Sequence, residues 1–551
     1  MLCAPTGANP MKARRPWVGA IIAISLTVIA MAVFTTGIQT PWPWTDEGAT
    51  VTALWRSWQQ LPVLLAGPDA PLVPYYVVAK CWLAALHGVW PGVPTLLALR
   101  LLSAVAATGT VVVLSVVVAR NAGRWAGVLS GLFLIGTPGF NRFAQEARGY
   151  SLLALAATVS WLALDCWLQP RHAPVPVELD AGLGTDPRQL TGIVRAISYT
   201  ASLTAVAVVH TFGIFQWPAH LLATAAQRGL DPRARLRRVA ALGGMMIVAA
   251  AVAARQVLGS VSHGTGPVAP DAFQRLTVFQ LLDKLNQAIS SSAPPLVSSV
   301  LLGLAVAGAA LGLKGRLAPF SRSLIIWLAT PLFLALAAAS VKTNLFRIRY
   351  WIAFLPPLAA LAGLGTAALV ASVVSVLEPR LTLPGERAIP SWASRGAAAA
   401  VAVALLCTHA ALTLPAQAEL RSPAGHGQNL TGILAVIAGV RADNPGIPIL
   451  IPSESGAGIL VSADPEFRSN PMRHFDPKAP TVFTRPTSRA KVRLELAGQR
   501  RMLWVYQAPQ NGLPADQVPP NLAGLGLEVT AITEADLGWR ALMLERTSTG
   551  T

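Results

Sequence analysis

The chain has 551 residues, 53% of them hydrophobic and only 12% charged, and its mean hydropathy is +0.52. A soluble domain carries about 25% charged residues, so this composition excludes an ordinary soluble protein. It indicates a membrane protein with length left for one soluble domain. The formal net charge of +18 does not point to nucleic acid. The basic residues cluster in short loops between apolar runs, and no recognition motif accompanies them.

The N-terminal region predicts a cytoplasmic tail followed by a first membrane span. Residues 1–16 contain basic residues and no acid, and residues 17–37 are almost wholly apolar. A signal peptide is the competing interpretation, but its apolar core runs only about 7–15 residues. We therefore expect a span that is retained, with the N-terminus inside the cell.

The stretch after this span carries two adjacent carboxylates, Asp46 and Glu47. Apolar and tryptophan side chains then recur at helical spacing from Val51 to Leu61, with Thr45 placed to cap the helix. This pattern predicts an interfacial helix lying on the membrane. Residues 71–90 are apolar but contain Lys80, and we expect a second juxtamembrane or re-entrant segment there. Counting them as a full span would invert every later loop.

The remaining apolar runs are near the ~20 residues needed to cross a bilayer. With the first span they give about eleven crossings. The later ten are expected at about 96–119, 125–141, 150–168, 192–209, 211–227, 238–258, 294–313, 323–341, 350–377 and 396–415. The loops assigned to the inside hold more basic residues than the loops assigned to the outside, as the positive-inside rule requires. An odd number of spans places the C-terminus outside.

The C-terminal part has the composition of a soluble domain. Short apolar runs at 447–451, 501–506, 527–532 and 540–545 alternate with helix-like stretches at 429–441 and 487–498. We therefore expect a transmembrane domain over residues 17–415, with juxtamembrane helices at about 46–90. A small extracytoplasmic α/β domain is expected over residues 416–551.

Several polar residues from separate loops are predicted to share the outer side. They are Asp46, Glu47, Asp69, Gln145, Glu146, Arg148, Tyr150, His210, Arg347, Arg349 and Tyr350. Ionisable groups near a membrane are costly, and they often mark a functional site. Sugar transfer from a lipid phosphate needs a carboxylate base, for which Asp46 is the first candidate, and fixed cations for the departing phosphate. Arginines bind phosphate in bidentate fashion.

Each of these residues also has an alternative role. The acidic pair can simply complement a helix dipole, and Arg347 and Arg349 can extend to lipid head groups. Arg148 can pair with Glu146 or Glu47, and His210 can be structural. His87, Cys166 and His220 are expected to be packing residues. The four scattered cysteines indicate neither a disulfide framework nor a metal site.

A set of motifs in chain order resembles the GT-C glycosyltransferases. The motifs are Thr45-Asp46-Glu47, Asp69-Ala70-Pro71-Leu72 with Tyr75-Tyr76, Leu99-Arg100-Leu101-Leu102-Ser103, Ala144-Gln145-Glu146-Ala147-Arg148-Gly149-Tyr150-Ser151, and Arg347-Ile348-Arg349-Tyr350-Trp351 with Leu355-Pro356-Pro357. The chain looks like the branch of protein mannosyltransferases and lipid A aminoarabinose transferases, including bacterial mannosyltransferase-like members. The resemblance covers roughly residues 17–377.

The resemblance implies a role for several residues. The acid of the first outer loop, Asp46, would be the catalytic base, with Glu47 beside it, and Asp69 would be the second acid. Arg148, Arg347 and Arg349, with Tyr350, would bind the donor phosphate. Glu146, Tyr150 and His210 would line the substrate site. The family often has His-Pro-Pro after the second acid, whereas this chain has Ala-Pro-Leu.

The sequence therefore predicts a multi-pass glycosyltransferase of a bacterial plasma membrane, acting on its outer face. It would transfer a sugar, expected to be mannose, from a polyprenyl phosphate to an envelope glycan, glycolipid or protein. The resemblance implies a single inverting displacement. Arabinofuranose transfer on the same scaffold is an alternative. A transporter or flippase is a second one, although internal repeats and ionisable groups at midplane are lacking in the sequence. A binding protein with degenerate chemistry is a third. A divalent metal remains open, since the acids can hold one, but aminoarabinose-transferase-like members resemble metal-free enzymes.

Overall fold

The computed structural model describes residues 16–67, 69–168, 187–227, 231–263, 277–291, 295–341, 348–380, 391–451, 454–464, 500–507, 526–535 and 538–547. Its first part is a bundle of long apolar helices, and its last part is a small mixed sheet with two helices. The predicted tail, Arg347 and the helix-like stretch 487–498 lie outside the described residues.

The helices follow from the apolar runs of the sequence. In chain order they are α1 (Pro16–Thr35), α2 (Thr45–Ala53), α3 (Val73–Val89), α4 (Thr95–Ala122), α5 (Arg124–Gly136), α6 (Pro138–Ala144), α7 (Tyr150–Leu168), α8 (Pro187–Val209), α9 (Gln216–Ala225), α10 (Pro232–His263), α11 (Val278–Ser290), α12 (Pro295–Gly312), α13 (Ala318–Val341), α14 (Leu355–Arg380), α15 (Ser391–Leu420), α16 (Thr431–Asp443) and α17 (Glu454–Ala463).

The chain is a multi-pass helical membrane protein. Within the described ranges, ten helices are long and apolar enough to cross a membrane. They are Trp17–Thr35, Ala70–Val89, Thr95–Ala122, Tyr150–Leu168, Gly192–Val209, Pro232–Ala254, Pro295–Gly312, Gly315–Ala337, Arg349–Ser375 and Gly396–Leu420.

Two of the expected spans differ from this set because their helices are short. The run at 125–141 is divided between α5, which has 13 residues, and α6. The run at 211–227 consists of a 3-10 helix, Thr211–Phe215, and the ten residues of α9. The run at 211–227 still leads from one end of the bundle to the other. Arg238 donates hydrogen bonds to the Gln227 side chain at 3.2 Å and to the carbonyl of Leu168, at the far end of α7, at 3.3 Å.

The contacts of α3 place it across the end of the bundle that carries the acidic pair. Lys80 donates to the carbonyl oxygens of Leu54 and Arg56, at 2.9 and 2.7 Å. The Trp82 indole N–H donates to the carbonyl of Ala98, near the start of α4, at 2.7 Å. Because α3 is also long and apolar enough to cross, the juxtamembrane interpretation of residues 71–90 stays a prediction.

The helix after the acidic pair differs from the prediction in two respects. Helix α2 ends at Ala53. The Lys80 ammonium donates hydrogen bonds to the carbonyl oxygens of Leu54 and Arg56, which a longer helix would pair with its own N–H groups. Its N-cap is Trp44 rather than Thr45. All residues from Asp46 to Ala53 are buried, so α2 does not lie on the membrane surface. The tryptophans that follow α2, Trp55 and Trp58, are exposed, which suits an interfacial position.

The C-terminal part forms a four-stranded sheet at the predicted apolar runs. The strands are β1 (Ile449–Leu450), β2 (Arg501–Gln507), β3 (Leu527–Glu534) and β4 (Trp539–Arg546), in the order β1-β2-β4-β3. Strand β1 is parallel to β2, and the other two pairs are antiparallel. Alternate side chains of β2 divide between two cores: Leu503 and Val505 pack with α16 and α17, and Met502 and Trp504 lie on the opposite face. Helix α17 was not predicted.

Helices α12 and α14 approach each other closely at two glycines. A Cβ atom added at Gly308 would lie 1.9 Å from the carbonyl oxygen of Leu361, and one at Gly365 would lie 2.0 Å from that of Leu304. Small residues allow this backbone contact, which is a common way for membrane helices to associate.

The substitution Gly308→Ala should therefore destabilise the bundle, because α12 and α14 must separate to admit the methyl group. We expect a loss of about 1–3 kcal/mol in unfolding free energy, measured as a lower melting temperature of the purified protein. Gly303→Ala on the same helix is the matched control, since its Cβ would meet nothing within 4 Å. Equal melting temperatures for the two variants would contradict this account of the packing.

Candidate functional site

Asp46 lies in the first turn of α2 and is 7% exposed. Its Oδ2 atom is 2.6 Å from Nη1 of Arg349 and 3.5 Å from Nη2 of Arg148. The hydroxyl of Tyr150 donates to the same oxygen at 3.5 Å. One carboxylate therefore faces two guanidinium groups and a phenol, all contributed by distant segments of the chain.

Arg148 belongs to the turn between α6 and α7, and this turn is fixed from two sides. Gln145 donates to the carbonyls of Phe34 and Thr36 at the end of α1, at 3.0 and 2.8 Å. Ser103 of α4 donates to the carbonyl of Glu146 at 2.6 Å. The guanidinium of Arg148 is thereby held rigidly beside α2, where it also donates to the Thr50 hydroxyl at 3.2 Å.

Arg349 and Tyr350 come from the 3-10 helix Ile348–Phe354 that precedes α14. The guanidinium carbon of Arg349 lies 5.7 Å from the ring centroids of both Trp44 and Tyr350, an arrangement typical of cation–π contacts. Tyr350 stacks on Phe212 with centroids 3.8 Å apart, and its ring is 5.3 Å from that of His210. The His210 ring in turn lies 5.9 Å from the Tyr150 ring, so a row of neighbouring rings lies beside the charged groups.

His210 is neutral in this environment. Burial lowers the pKa of His210 to about 3, and the positive charges of Arg148 and Arg349 add to this effect. Its Nδ1 atom accepts a hydrogen bond from the backbone N–H of Phe212 at 3.3 Å, so the ring proton resides on Nε2. The imidazole can therefore donate one hydrogen bond without adding charge.

Glu47 has partners entirely different from those of Asp46. Arg100 of α4 binds it in bidentate fashion, with distances of 2.8 and 2.7 Å, and the backbone N–H of Ala147 donates to it at 2.8 Å. Burial by itself raises the pKa of Glu47, but the charge and hydrogen bonds of Arg100, helped by His426, hold this pKa well below its usual range. Glu47 is thus an ionised, fully paired carboxylate with no exposed surface.

Glu146 lies close enough to Glu47 for the two carboxylates to interact electrostatically. It pairs with Arg142 at 3.1 Å and is fully buried, and this burial raises the pKa of Glu146 despite the nearby guanidinium. His426, in the turn that follows α15, is also buried, and its Nδ1 atom lies 3.8 Å from Oε2 of Glu47. Glu146 thus belongs to the turn that carries Arg148, and Glu47 and His426 lie next to this turn.

Asp69 is fully buried just before α3, whose Tyr76 hydroxyl accepts a hydrogen bond from Arg148 at 3.4 Å. In the part of the chain that the structure describes, no three His, Cys, Asp or Glu side chains come close enough to hold a metal ion. The described residues therefore do not fit a metal site built from three such side chains.

Solved structures share this architecture. The crystal structure of ArnT from Cupriavidus metallidurans bound to undecaprenyl phosphate is similar over 98% of this chain and 100% of that chain, with 15% sequence identity and a TM-score of 0.53. The archaeal oligosaccharyltransferase AglB from Archaeoglobus fulgidus, in complex with an inhibitory peptide and a dolichol-phosphate, matches 89% of this chain and 69% of its own, with 10% identity and a TM-score of 0.52.

The chain has a GT-C-like fold. No protein-family model matches it, and no curated protein matches it in sequence. At these identities the likeness concerns the fold alone.

Within this GT-C-like fold, the structure brings together Asp46, Arg148, Tyr150, His210, Arg349 and Tyr350. Sequence reasoning missed the roles of Arg100 and His426. Arg100 could have been found, because an arginine inside a long apolar run requires a buried anionic partner. His426 carried no such signal, since it lies in a polar segment of ordinary composition.

The buried pair of Arg100 and Glu47 predicts a large stability effect for one substitution. Arg100→Gln leaves an uncompensated carboxylate in the interior, which should cost about 3–5 kcal/mol. Arg120→Gln on the same helix is the control: its partner is Asp165 at 3.2 Å and its side chain is 38% exposed, so it should cost at most about 1 kcal/mol. Melting temperatures of the purified variants decide the matter, and similar shifts would refute the distinction.

The neutral state of His210 predicts a pH effect on stability. The unfolded state binds more protons than the folded state between pH 6.5 and about 3, so stability is lost as the pH falls through this window. At pH 5 the loss from this residue should be about 2 kcal/mol. His210→Asn keeps an acceptor for the Phe212 N–H and removes the titration. The melting temperature of the wild type should therefore fall more between pH 7 and pH 5 than that of the variant, and parallel declines would count against the assignment.

Proposed function

We propose that the chain is an integral-membrane glycosyltransferase of the protein mannosyltransferase and aminoarabinose transferase branch. It would transfer a sugar from a polyprenyl phosphate to a hydroxyl group of an envelope glycan, glycolipid or protein. Mannose is the proposed sugar, and the outer face of a bacterial plasma membrane is the proposed location. The observation that carries the proposal is the Asp46 carboxylate held between Arg349 and Arg148.

This arrangement supplies the two charges that the reaction needs. The acceptor oxygen attacks the anomeric carbon while the bond from that carbon to the phosphate oxygen breaks, which inverts the configuration. The acceptor proton passes to Asp46, and the negative charge that develops on the departing polyprenyl phosphate is stabilised by the guanidinium groups. Tyr150 and neutral His210 offer further hydrogen-bond donors that carry no charge.

The two arginines also account for how Asp46 becomes available as a base. Arg349 pairs with Asp46 at 2.6 Å. The singly charged phosphodiester of the donor would compete for the same guanidinium, because arginine binds phosphate oxygens in bidentate fashion. Donor binding would thus loosen the Asp46–Arg349 pair and leave the carboxylate free for the acceptor hydroxyl. Glu47, fully paired with Arg100, would keep α2 in place rather than react.

The similar structures support the choice of donor. The ArnT structure holds undecaprenyl phosphate, and the AglB structure holds a dolichol-phosphate. Both ligands are polyprenyl phosphates, so a site with a buried Arg148 and a half-buried Arg349 on the same fold suits this class of lipid. The excess of basic residues in the loops predicted to be inside supports a site on the outer face of the membrane.

The test is transfer by purified protein in liposomes, supplied in turn with polyprenyl-phosphate mannose and polyprenyl-phosphate arabinofuranose. Asp46→Asn should lower the transfer rate by about 10²–10⁴ and keep binding of undecaprenyl phosphate, because the general base is lost while the arginines remain. Arg349→Gln should instead weaken that binding by about 10-fold to 100-fold, the usual worth of a charge-assisted hydrogen bond.

Asp165→Asn is the control, because this acid pairs with Arg120 at the opposite end of α4 and α7. It should leave both transfer and lipid binding unchanged. Full transfer by Asp46→Asn would remove the base assignment. Ligand flux through the liposomes without any transfer would favour a transporter.

A further inference from the structure

The C-terminal domain touches the helix that carries Asp46 by direct backbone contact. A Cβ atom added at Gly458 of α17 would lie 2.1 Å from the carbonyl oxygen of Gly48 and 2.8 Å from its Cα. No side chain larger than hydrogen fits at this crossing, so the backbones of α17 and α2 are in direct contact. Gly48 is only two residues from Asp46, on the same short helix.

Two further contacts join the same segments. The backbone N–H of Trp42 donates to the carbonyl of Pro423 at 2.8 Å, and the Trp42 side chain packs against the apolar core of the C-terminal domain. His426 is buried with its Nδ1 atom 3.8 Å from the Glu47 carboxylate. The segment from Trp42 to Gly48 therefore contacts the C-terminal part of the chain at its first residue and at its last two residues.

These contacts explain why α2 is buried over its whole length. Arg148, Tyr150 and Arg349 approach the side chain of Asp46 from the bundle, and α17 lies against the backbone at Gly48. A nine-residue helix is too short to hold its own position in isolation. Its orientation, and so the place of the Asp46 carboxylate, depends on what packs around it.

We propose that α17 is a positioning element for catalysis, and that Gly458 is its positioning residue. The C-terminal domain holds α2 against the bundle, so that the Asp46 carboxylate stays within reach of the acceptor hydroxyl and the two arginines. This inference rests on the proposed function, since it assigns the placement of the proposed base. It gives the C-terminal domain a part in the chemical step, separate from acceptor binding.

The test compares Gly458→Ala with Gly439→Ala in the full-length protein. Gly439 lies on α16 of the same domain, and its Cβ would meet nothing within 4 Å. In Gly458→Ala the methyl group forces α2 and α17 apart. A displacement of about 1 Å at a reacting group can cost about 100-fold in rate, so kcat should fall by about 10-fold to 100-fold. The KM for the lipid donor and the affinity for undecaprenyl phosphate should change by less than about threefold.

Amide hydrogen exchange over residues 45–53 is the second measurement, and it requires no substrate. Exchange of the α2 amides should become faster in Gly458→Ala and stay at the wild-type rate in Gly439→Ala. If Gly458→Ala does not accumulate as folded protein, Trp42→Ala takes its place. This change weakens the same attachment without a clash and should produce the same pattern of lower kcat and faster α2 exchange.

The outcomes separate this inference from the proposed function. Unchanged kcat and unchanged α2 exchange in folded Gly458→Ala would overturn the positioning role, as would an equal loss in Gly439→Ala. A loss of donor affinity as large as the loss of kcat would also overturn it, because it would show general damage to the site. If the wild type transfers no sugar, the proposed function fails, and the exchange data still decide whether α17 holds α2.

Discussion

The ion pair between Arg100 and Glu47 connects three regions that are distant in the sequence. Arg100 lies on α4 and also donates to the carbonyls of Ile38 and Pro41 in the connection that follows α1. Glu47 lies on α2 and accepts the N–H of Ala147 in the turn that carries Arg148. Each remaining hydrogen-bonding position of these buried ions is thus directed to a specific backbone group, which is what makes burial of such a pair tolerable.

This pair also explains how two neighbouring carboxylates acquire different properties. Consecutive residues on a helix point in directions about 100° apart. Glu47 is directed into the bundle and meets a dedicated arginine there, whereas Asp46 is directed toward the segment of Arg349 and Tyr150. Because Arg100 satisfies Glu47, the two arginines next to Asp46 carry an excess of positive charge. A site with two cations and one anion attracts a phosphate while retaining a carboxylate that can accept a proton.

The sequence predicted those features that follow from local pattern and from the membrane. Apolar runs located the long helices and the four strands, and the placement of polar residues at span ends brought Asp46, Arg148, Tyr150, His210 and Arg349 to one side. What it could not show depends on contacts between remote segments. The end of α2 at Ala53 is set by Lys80 on another helix, its burial is set by α17, and the division of roles between Asp46 and Glu47 is set by Arg100. The sequence did not show that the apolar runs at 125–141 and 211–227 are each divided into two short helices, because an apolar run does not reveal where a helix breaks.

The glycine contact between α2 and α17 has a consequence for how the molecule is made. Gly48 and Gly458 are roughly 400 residues apart, and contacts of such long range form late because the loop between them must close first. Before the later helices and the C-terminal domain have been synthesised, α17 does not pack against α2. The carboxylate of Asp46 then has neither Arg349 nor α17 beside it. The surroundings of Asp46 are therefore complete only after the C-terminal domain has been synthesised and has packed against α2, so a partly synthesised chain in the membrane would lack an assembled centre.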